Sequence, residues 1–446
     1  MSGSVVRTRS VGLTAIALIL VGAIVVALAL AGGGPARAKR AAPFHSCSPL
    51  NSPGLPLELN AAATGVLVKT VAMQEELFAC QDSPSSPTAI RDLETFVELV
   101  GREAGGNVDL VSTKVMAVTC DQRVTATGAI TCGKSAINAP SAPGPNATQC
   151  NPRAENLVMN TVATDDSLFV TTTELDAEKF TCNANTRNDD LYLFTQLLEP
   201  VHANLQDIDD PVFSWLGVFC NQNRDQGKLK GCVRFTPSAA INPPGSFTCF
   251  DTGGPAFPKL DGNSVAAALL VKTVAMQKHI LSCNTGSGTA FTRDQQLFVD
   301  VIDRQSGNSL AFLAAKVFVS TCDKASTSQA TTLACAASTV PLSAGPAPNL
   351  GACQEQGAGL DPVVMNTVRT KDGKVVKTIK LHQENYRCTS TIWRDVYVFS
   401  QLIEPVNGAG DNFASPTVRL LGVSCDRDAA GGVVTGCVRF TPGPLQ

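Results

Sequence analysis

The chain has 446 residues and a formal net charge of -3, and 16% of its residues are charged. This composition provides no electrostatic basis for binding nucleic acid. Charged residues are fewer than the roughly 25% usual in soluble domains. Glycine (36) and proline (26) are numerous, which favours a turn-rich β protein.

The N-terminus carries the pattern of an export signal. Arg7 and Arg9 precede an uncharged apolar run over residues 11–31, and a Gly-, Pro- and Ala-rich stretch follows it up to Ala38. We therefore predict a signal peptide over residues 1–38. The run is also long enough to cross a bilayer, so an N-terminal membrane anchor helix is the open alternative. In both cases the remainder of the chain is predicted to be secreted or at the cell surface.

Sixteen cysteines form four quartets of nearly equal spacing. An even, fully used set in an exported chain predicts structural disulfides rather than zinc ligands or a catalytic thiol. The third and fourth cysteines of each quartet flank a hairpin-like stretch, which favours third-to-fourth and first-to-second pairing, although three connectivities are open. The quartets are Cys47, Cys80, Cys120, Cys132; Cys150, Cys182, Cys220, Cys232; Cys249, Cys283, Cys322, Cys335; and Cys353, Cys388, Cys425, Cys437.

The repeat has an A-B-A-B order. The octapeptide Leu67 to Gln74 recurs unchanged at Leu270 to Gln277, and Val158 to Val162 recurs at Val364 to Val368. Pro-, Gly- and Ala-rich linkers separate the units, which favours a rod or a chain of beads. The predicted β domains are A1 (44–138), B1 (147–237), A2 (246–340) and B2 (350–446).

Each unit is predicted to consist of short strands. Runs of Val, Thr, Phe and Leu before the second and third cysteines are typical of strands. A segment with Asp four residues before Phe occurs in every unit; Asp92 to Phe96 also fits a helix, whereas Leu191 to Phe194 is β-prone, so we prefer strands. The predicted fold is all-β, with four tandem disulfide-stapled β-sandwich-like domains of about 100 residues.

Few residues are candidates for chemistry. Gly128 to Ser135 satisfies the phosphate-loop pattern, but Cys132 lies inside the match and prolines follow where a helix should run. The histidines His45, His202, His279 and His382 have no equivalent in their sister units, which favours surface variation. Acidic groups around Asp165, Asp189 and Asp207 lack the spacing of a calcium loop. We predict no catalytic, cofactor-binding or metal-binding residues.

Repeated polar residues remain as candidates for structure or recognition. They are Lys69 and Lys272; Asn160 and Asn366; Arg234 and Arg439; and the Arg-Asp pairs beginning at Arg91, Arg293 and Arg394. Arg and Asp at strand starts commonly form ion pairs or cap turns, which favours the structural interpretation. Asn146 begins a glycosylation sequon in a linker.

The repeat predicts a structural, adhesive or protein-interaction role outside the cell, because repetition multiplies weak contacts. Its partner would be an unknown protein or surface, with no nucleic acid, and membrane contact only through an uncleaved N-terminal segment. The alternative is an extracellular hydrolase or small-ligand-binding protein whose site lies at the A/B interfaces and uses the repeated Asp and Arg residues.

Overall fold

The computed structural model describes residues 44–50, 57–84, 86–103, 108–124, 128–143, 150–164, 169–182, 187–200, 211–223, 226–239, 247–251, 260–285, 290–306, 309–326, 331–355, 363–370, 375–405, 415–428 and 433–443. The predicted signal or anchor segment lies outside this set. Within it the regular secondary structure is β-strand without α-helix, so no described helix is long and apolar enough to cross a membrane. The all-β prediction is confirmed.

Unit A1 supplies one antiparallel sheet. Its strand order is β1-β3-β4-β5-β6, and β2 also pairs with β3, so two short strands share one edge of a long strand. The strands are β1 (Ser46–Pro49), β2 (Glu58–Thr64), β3 (Leu67–Ser83), β4 (Ser86–Glu103), β5 (Val108–Arg123) and β6 (Ile130–Ile137).

Unit B1 supplies the next sheet, in the order β11-β10-β9-β8-β7. Each strand pairs with the strand before it in the chain, as expected when short loops connect antiparallel neighbours. The strands are β7 (Cys150–Ala163), β8 (Phe169–Cys182), β9 (Arg187–Pro200), β10 (Val212–Asn223) and β11 (Lys228–Phe235).

Units A2 and B2 repeat this plan with seven strands each. The order in sheet A2 is β12-β18-β17-β16-β15-β13 with β14 on β15, and in sheet B2 it is β19-β25-β24-β23-β22-β20 with β21 on β22. The strands of A2 are β12 (Ser238–Ala239), β13 (Phe247–Asp251), β14 (Leu260–Ala267), β15 (Leu270–Thr285), β16 (Ala290–Ser306), β17 (Ser309–Ser326) and β18 (Thr331–Val340). Those of B2 are β19 (Leu342–Ala344), β20 (Gln354–Glu355), β21 (Val363–Arg369), β22 (Val375–Arg387), β23 (Ile392–Pro405), β24 (Thr417–Asp428) and β25 (Val434–Phe440).

The Asp-x3-Phe segments all lie in strands, namely β4, β9, β16 and β23. The preference for strand over helix is therefore confirmed. The predicted hairpins between the third and fourth cysteines are present as β5–β6, β10–β11, β17–β18 and β24–β25. Many of these strands are much longer than expected, and β4 and β17 each have 18 residues.

The apolar core lies between units rather than inside each one. Sheet A1 packs on B1, where Ala72 and Val97 meet Tyr192 and Val218. Sheet B1 packs in turn on A2, and A2 packs on B2, through two further clusters. Each unit supplies one sheet and residues 44–446 form one compact unit, so the predicted two-sheet sandwich inside each repeat and the predicted chain of separate beads are not confirmed. The domain boundaries themselves stay a prediction.

The physical reason is strand length and two-sided burial. A single long sheet with apolar residues on both faces cannot fold back on itself, and it buries those faces against its neighbours. Residues 270–279 of β15 show this arrangement, because every residue in that range is buried. Even-numbered residues face B1 and odd-numbered residues face B2, as the alternation of a strand requires.

The proline-rich linkers are hydrogen-bonded to the sheet that follows. Arg234 N–H donates to Pro140 O at 3.0 Å, and Ala142 N–H donates to Arg234 O at 2.9 Å. The second linker pairs in parallel with β18 through β12, and the third pairs with β25 through β19. Each linker thus extends the edge of the next sheet instead of acting as a free hinge.

Seven disulfides are present among the described side chains, and all follow the predicted pairing. Each joins neighbouring strands, or residues at their ends, within one sheet and none joins two sheets. Cys150 and Cys182 are directly opposite each other in the backbone register of β7 and β8, while their side chains lie outside the described ones. The bridges are Cys47–Cys80, Cys120–Cys132, Cys220–Cys232, Cys249–Cys283, Cys322–Cys335, Cys353–Cys388 and Cys425–Cys437.

Candidate functional site

The interface between A2 and B2 contains a buried cluster of ionisable and amide side chains. His279 on β15 lies against Asp395 on β23 and Arg427 on β24, and all three side chains are almost completely buried. Strand alternation directs His279 toward B2, on the same face as Gln277, and places Asp395 and Tyr397 on the opposing face. We call these five residues the A2/B2 polar cluster.

The carboxylate of Asp395 is the centre of this cluster. His279 Nε2 lies 3.8 Å and Arg427 Nε lies 3.7 Å from Asp395 Oδ2. The Tyr397 hydroxyl donates a hydrogen bond to Gln277 Oε1. The guanidinium of Arg427 also lies over the Trp393 ring, 5.5 Å from its centroid. An imidazole, a carboxylate and a guanidinium thus converge in a space enclosed by two sheets.

Burial determines the protonation of the cluster. It lowers the pKa of His279 well below its ordinary value, and Arg427 lowers it further, so the imidazole is neutral at neutral pH. Burial also raises the pKa of Asp395, an effect opposed by the positive charge of Arg427. A neutral imidazole beside a carboxylate is the arrangement of a general base, but a substrate would have to separate the sheets to reach it.

The equivalent positions in A1 and B1 keep only part of this arrangement. Tyr192 donates a hydrogen bond to Gln74 Oε1 at 2.5 Å, as Tyr397 does to Gln277. Glu76 replaces His279, and Gln222, which replaces Arg427, donates a hydrogen bond to it. The Tyr–Gln contact is therefore common to both A/B interfaces, whereas the imidazole–guanidinium pair is specific to the second.

A second buried ionic group joins B1 to A2. Lys272 Nζ lies 2.6 Å from Glu199 Oε2 and 3.0 Å from Asp300 Oδ2, and all three side chains are almost completely inaccessible to solvent. Burial is the largest cause that raises the pKa of Asp300, to about 7, while Lys272 opposes the shift. One cation between two carboxylates fixes the contact between the sheets, since removing it would leave unpaired buried charge.

The repeated Arg-Asp pairs are structural. In A1, A2 and B2 the Arg forms a bidentate ion pair with the Asp that follows the third cysteine, on the adjacent strand. The pairs are Arg91–Asp121, Arg293–Asp323 and Arg394–Asp426. In B1 both positions change together, to Asp189 and Asn221, which agrees with a paired structural role.

The repeated asparagines connect A sheets to B sheets. Asn366 Nδ2 donates to Asn263 Oδ1 at 2.9 Å and to Ser264 O at 3.0 Å. Asn160 makes the equivalent longer contacts to Asn60 and Ala61 in the first pair. The repeated VMNTV sequence is thus explained by an interface between sheets.

The remaining candidates from the sequence are dispersed. The phosphate-loop match lies on the β5–β6 hairpin with Lys134 inside a strand, so no helix follows it. His45 is exposed and His202 lies outside the described residues, as do Asp165, Asp207 and Asn146. His382 is on β22, where its side chain is not described. Within the described ranges no group of three or more His, Cys, Asp or Glu could hold a metal ion.

Sequence reasoning missed Gln277, Arg427 and Glu199 as interface residues. The signal for Gln277 was present, because the unchanged octapeptide ends on it and a Tyr recurs at matching positions of both B units. No pattern marked Arg427, since its counterpart Gln222 is uncharged.

The comparisons with known proteins found no matching family model, no similar curated protein and no similar solved structure. The many disulfides and the all-β fold are consistent with an extracellular protein.

Proposed function

We propose that the chain is an exported structural or adhesive protein that works at the cell surface or outside the cell. The observation that carries this proposal is that ionisable groups among the described residues, such as His279 and Asp395, have shifted pKa values and are enclosed between packed sheets. Groups sealed in this way are poorly placed for turnover, because a substrate would have to separate the sheets to reach them. The disulfides add resistance to unfolding in an oxidising environment.

Surface retention tests the proposal. The chain is produced in its own host with an epitope at the C-terminus, and medium, surface and cytoplasmic fractions are compared. We expect the epitope outside the cytoplasm, with every cysteine blocked from alkylation until reductant is added. We also expect cells lacking the protein to adhere less to surfaces or to each other. Recovery of reduced protein from the cytoplasm would contradict the proposal.

A hydrolase or ligand-binding protein is the second candidate, and the pairing of His279 with Asp395 favours it. Its test uses His279→Gln, which replaces the imidazole base with an uncharged amide, with Lys69→Gln on an exposed face as the control. The enzyme predicts hydrolysis of an ester, amide or glycoside substrate that the first variant loses and the control keeps. The structural proposal predicts no turnover in either variant or in the parent protein.

A further inference from the structure

The two end sheets of the stack each have a face that no other described sheet covers. A1 packs on B1 through one face, and B2 packs on A2 through one face. The inner sheets B1 and A2 have neighbours on both faces. We call the uncovered faces the A1 end face and the B2 end face.

The internal B1/A2 joint shows which residues pack against each type of face. A2 is of type A and B1 is of type B, so the A2 face at this joint is the repeat equivalent of the A1 end face. The B1 face is likewise the equivalent of the B2 end face. In the joint Met159 and Leu197 from B1 pack with Val274, Phe298 and Phe318 from A2.

The A1 end face keeps bulky apolar residues at three positions of the A2 face. Leu67, Met116 and Ile130 are exposed on it, at positions equivalent to Leu270, Phe318 and Leu333 in A2. Ile130 is 65% exposed, whereas Leu333 packs against Leu191, Phe219 and Phe235 of B1 at the internal joint. The three residues lie in different rows of the sheet, so exposed apolar positions are spread along the whole A1 end face. Exposed apolar surface on a face that is covered in the equivalent unit is typical of an interaction site.

The B2 end face also exposes bulky apolar residues. Met365 on β21 and Val418 on β24 are each 69% exposed, and Leu420, two residues after Val418, is exposed too. Their equivalents in B1 are Met159, Phe213 and Trp215, all of which pack at the B1/A2 joint.

One hydrogen-bonded pair of the internal joint is replaced at both of its positions on the end faces. Trp215 Nε1 donates a hydrogen bond to Ser320 Oγ at 3.2 Å across that joint. On the end faces the same two positions hold Leu420 and Val118. A polar pair is thus replaced by an apolar pair, so neither end face would leave a polar atom unsatisfied at this point.

Charge complementarity points to the same pairing. Lys69 on the A1 end face lies 2.6 Å from Glu98, as Lys272 lies beside Asp300 in A2. The internal joint adds Glu199 of B1 as the third member, and its equivalent on the B2 end face is the half-buried Glu404. Glu404 would therefore complete an ionic group that A1 holds only in part.

We propose that the B2 end face of one molecule binds the A1 end face of a second copy, head to tail, and so reproduces the B1/A2 joint between molecules. This inference rests on the proposed structural function and names its partner. A heterologous contact of this kind leaves one free face at each end, so it propagates into a linear filament unless its rotation closes a ring.

The test uses the purified, oxidised exported chain and follows its mass by sedimentation velocity over a concentration series. The parent protein should grow beyond a dimer as concentration rises. Met116→Asp blocks the A1 end face and Met365→Asp blocks the B2 end face. Each variant alone should stay monomeric, and an equimolar mixture should stop at a dimer, because only one unblocked face of each type remains.

A charge exchange tests the register of the contact. Lys69→Glu and Glu404→Lys should each weaken self-association by roughly 100-fold, because like charges then meet at a desolvated site. The chain carrying both substitutions should recover association. Urea midpoints followed by circular dichroism, measured on dilute monomer, check that each variant is folded.

Several results would overturn the inference. A parent protein that is monomeric at all concentrations excludes it, and the surface-retention experiment would still decide the proposed function separately. Loss of association in Met116→Asp but not in Met365→Asp would mean that A1 faces pair with each other. Crosslinking of residues 39–43 to Met116 within one molecule would mean that the chain covers its own A1 face.

Discussion

The octapeptide LVKTVAMQ occurs twice in the chain, and its two copies have different surroundings. At Leu67 to Gln74 the side chains facing away from B1 are partly or fully exposed, and the Lys69 side chain is 51% exposed. At Leu270 to Gln277 every residue is buried, and the Lys272 side chain is 1% exposed. Identical residues in identical strands therefore differ only through the sheet that lies next to them. In this fold the burial of a residue depends on whether another sheet packs on its face.

Substituting each of the two equivalent lysines separately should give the largest difference in unfolding free energy. Lys272→Ala leaves Glu199 and Asp300 buried without their cation, and we expect a loss of about 3–5 kcal/mol in unfolding free energy. Lys69→Ala removes an exposed ion pair and should cost under about 1 kcal/mol. Urea denaturation of dilute protein followed by circular dichroism measures both.

The pH dependence of Lys272→Ala provides an internal control. Asp300 already has a pKa raised to about 7, so between pH 3.8, its ordinary pKa, and pH 7 the folded state keeps a proton that the unfolded state has released. Stability from this group is present at low pH and is lost as pH rises toward 7. The defect of Lys272→Ala should therefore be smaller near pH 5 than near pH 8. A defect equal to that of Lys69→Ala would contradict the buried ionic group.

Equivalent disulfides allow a second contrast. Removing Cys322–Cys335 or Cys120–Cys132 by paired alanine substitution opens loops of 13 and 12 residues, so the chain-entropy loss should be about 3 kcal/mol in each case. Cys322 and Cys335 also pack against Leu193 of B1, so their removal should cost more. Thermal unfolding of both variants by calorimetry measures the difference. A larger loss at Cys120–Cys132 would contradict the packing argument.

The methionines of the octapeptide give a third contrast. Met276 is fully buried in the B1/A2 joint, and its truncation to Ala should cost about 3 kcal/mol. Met73 lies half-buried on the A1 end face, so its truncation should cost about 1 kcal/mol. Chemical denaturation at protein concentrations too low for self-association measures the two losses in unfolding free energy. Equal losses would mean that the A1 end face is already covered in the monomer.

The smallest contrast concerns Asp92 and its equivalent Asp294. Burial, followed by Glu75 and Glu94, raises the pKa of Asp92 to about 6, whereas Lys278 in A2 lies 2.7 Å from Asp294. Glu75→Lys copies the A2 arrangement, so the pKa of Asp92 should fall and stability at neutral pH should rise by under about 1 kcal/mol. Carbon-detected NMR titration of Asp92 measures the pKa.

The sign of that effect follows from proton binding. Because the folded-state pKa of Asp92 is raised above the unfolded value, its contribution favours folding at low pH and is lost as pH rises through about 6. The Glu75→Lys gain should therefore be largest above pH 6 and small near pH 4. A gain that does not change with pH would remove Asp92 as its cause.

The sequence predicted what local pattern and spacing control. The hairpin-like stretch between the third and fourth cysteines favoured the pairing that the seven observed bridges follow, because each pair belongs to neighbouring strands or to their ends. The β-prone run at Leu191 to Phe194 gave the strand that all four units share. These features depend on residues close in the chain or on directly opposed strands.

The stacking of sheets and the polar clusters were not predictable in the same way. In the octapeptide both faces carry apolar residues together with one Lys or one Gln, so the pattern does not tell whether one face or two are covered. His279 and Asp395 lie far apart in sequence and their sister positions hold different residues, so repetition did not mark them. Contacts between sheets depend on shape and charge across distant segments, which periodicity does not contain.

The linkers alongside β11, β18 and β25 have a consequence for how this protein avoids misassembly. A bare terminal strand presents unpaired amides and carbonyls that recruit strands from other chains and seed amyloid. In this protein the linker that leaves one sheet pairs with part of the edge strand of the next sheet, as in the hydrogen bond from Arg234 N–H to Pro140 O. This pairing disfavours the addition of strands from other molecules through backbone hydrogen bonds. Contact between molecules then depends on side chains, which can discriminate one partner from another.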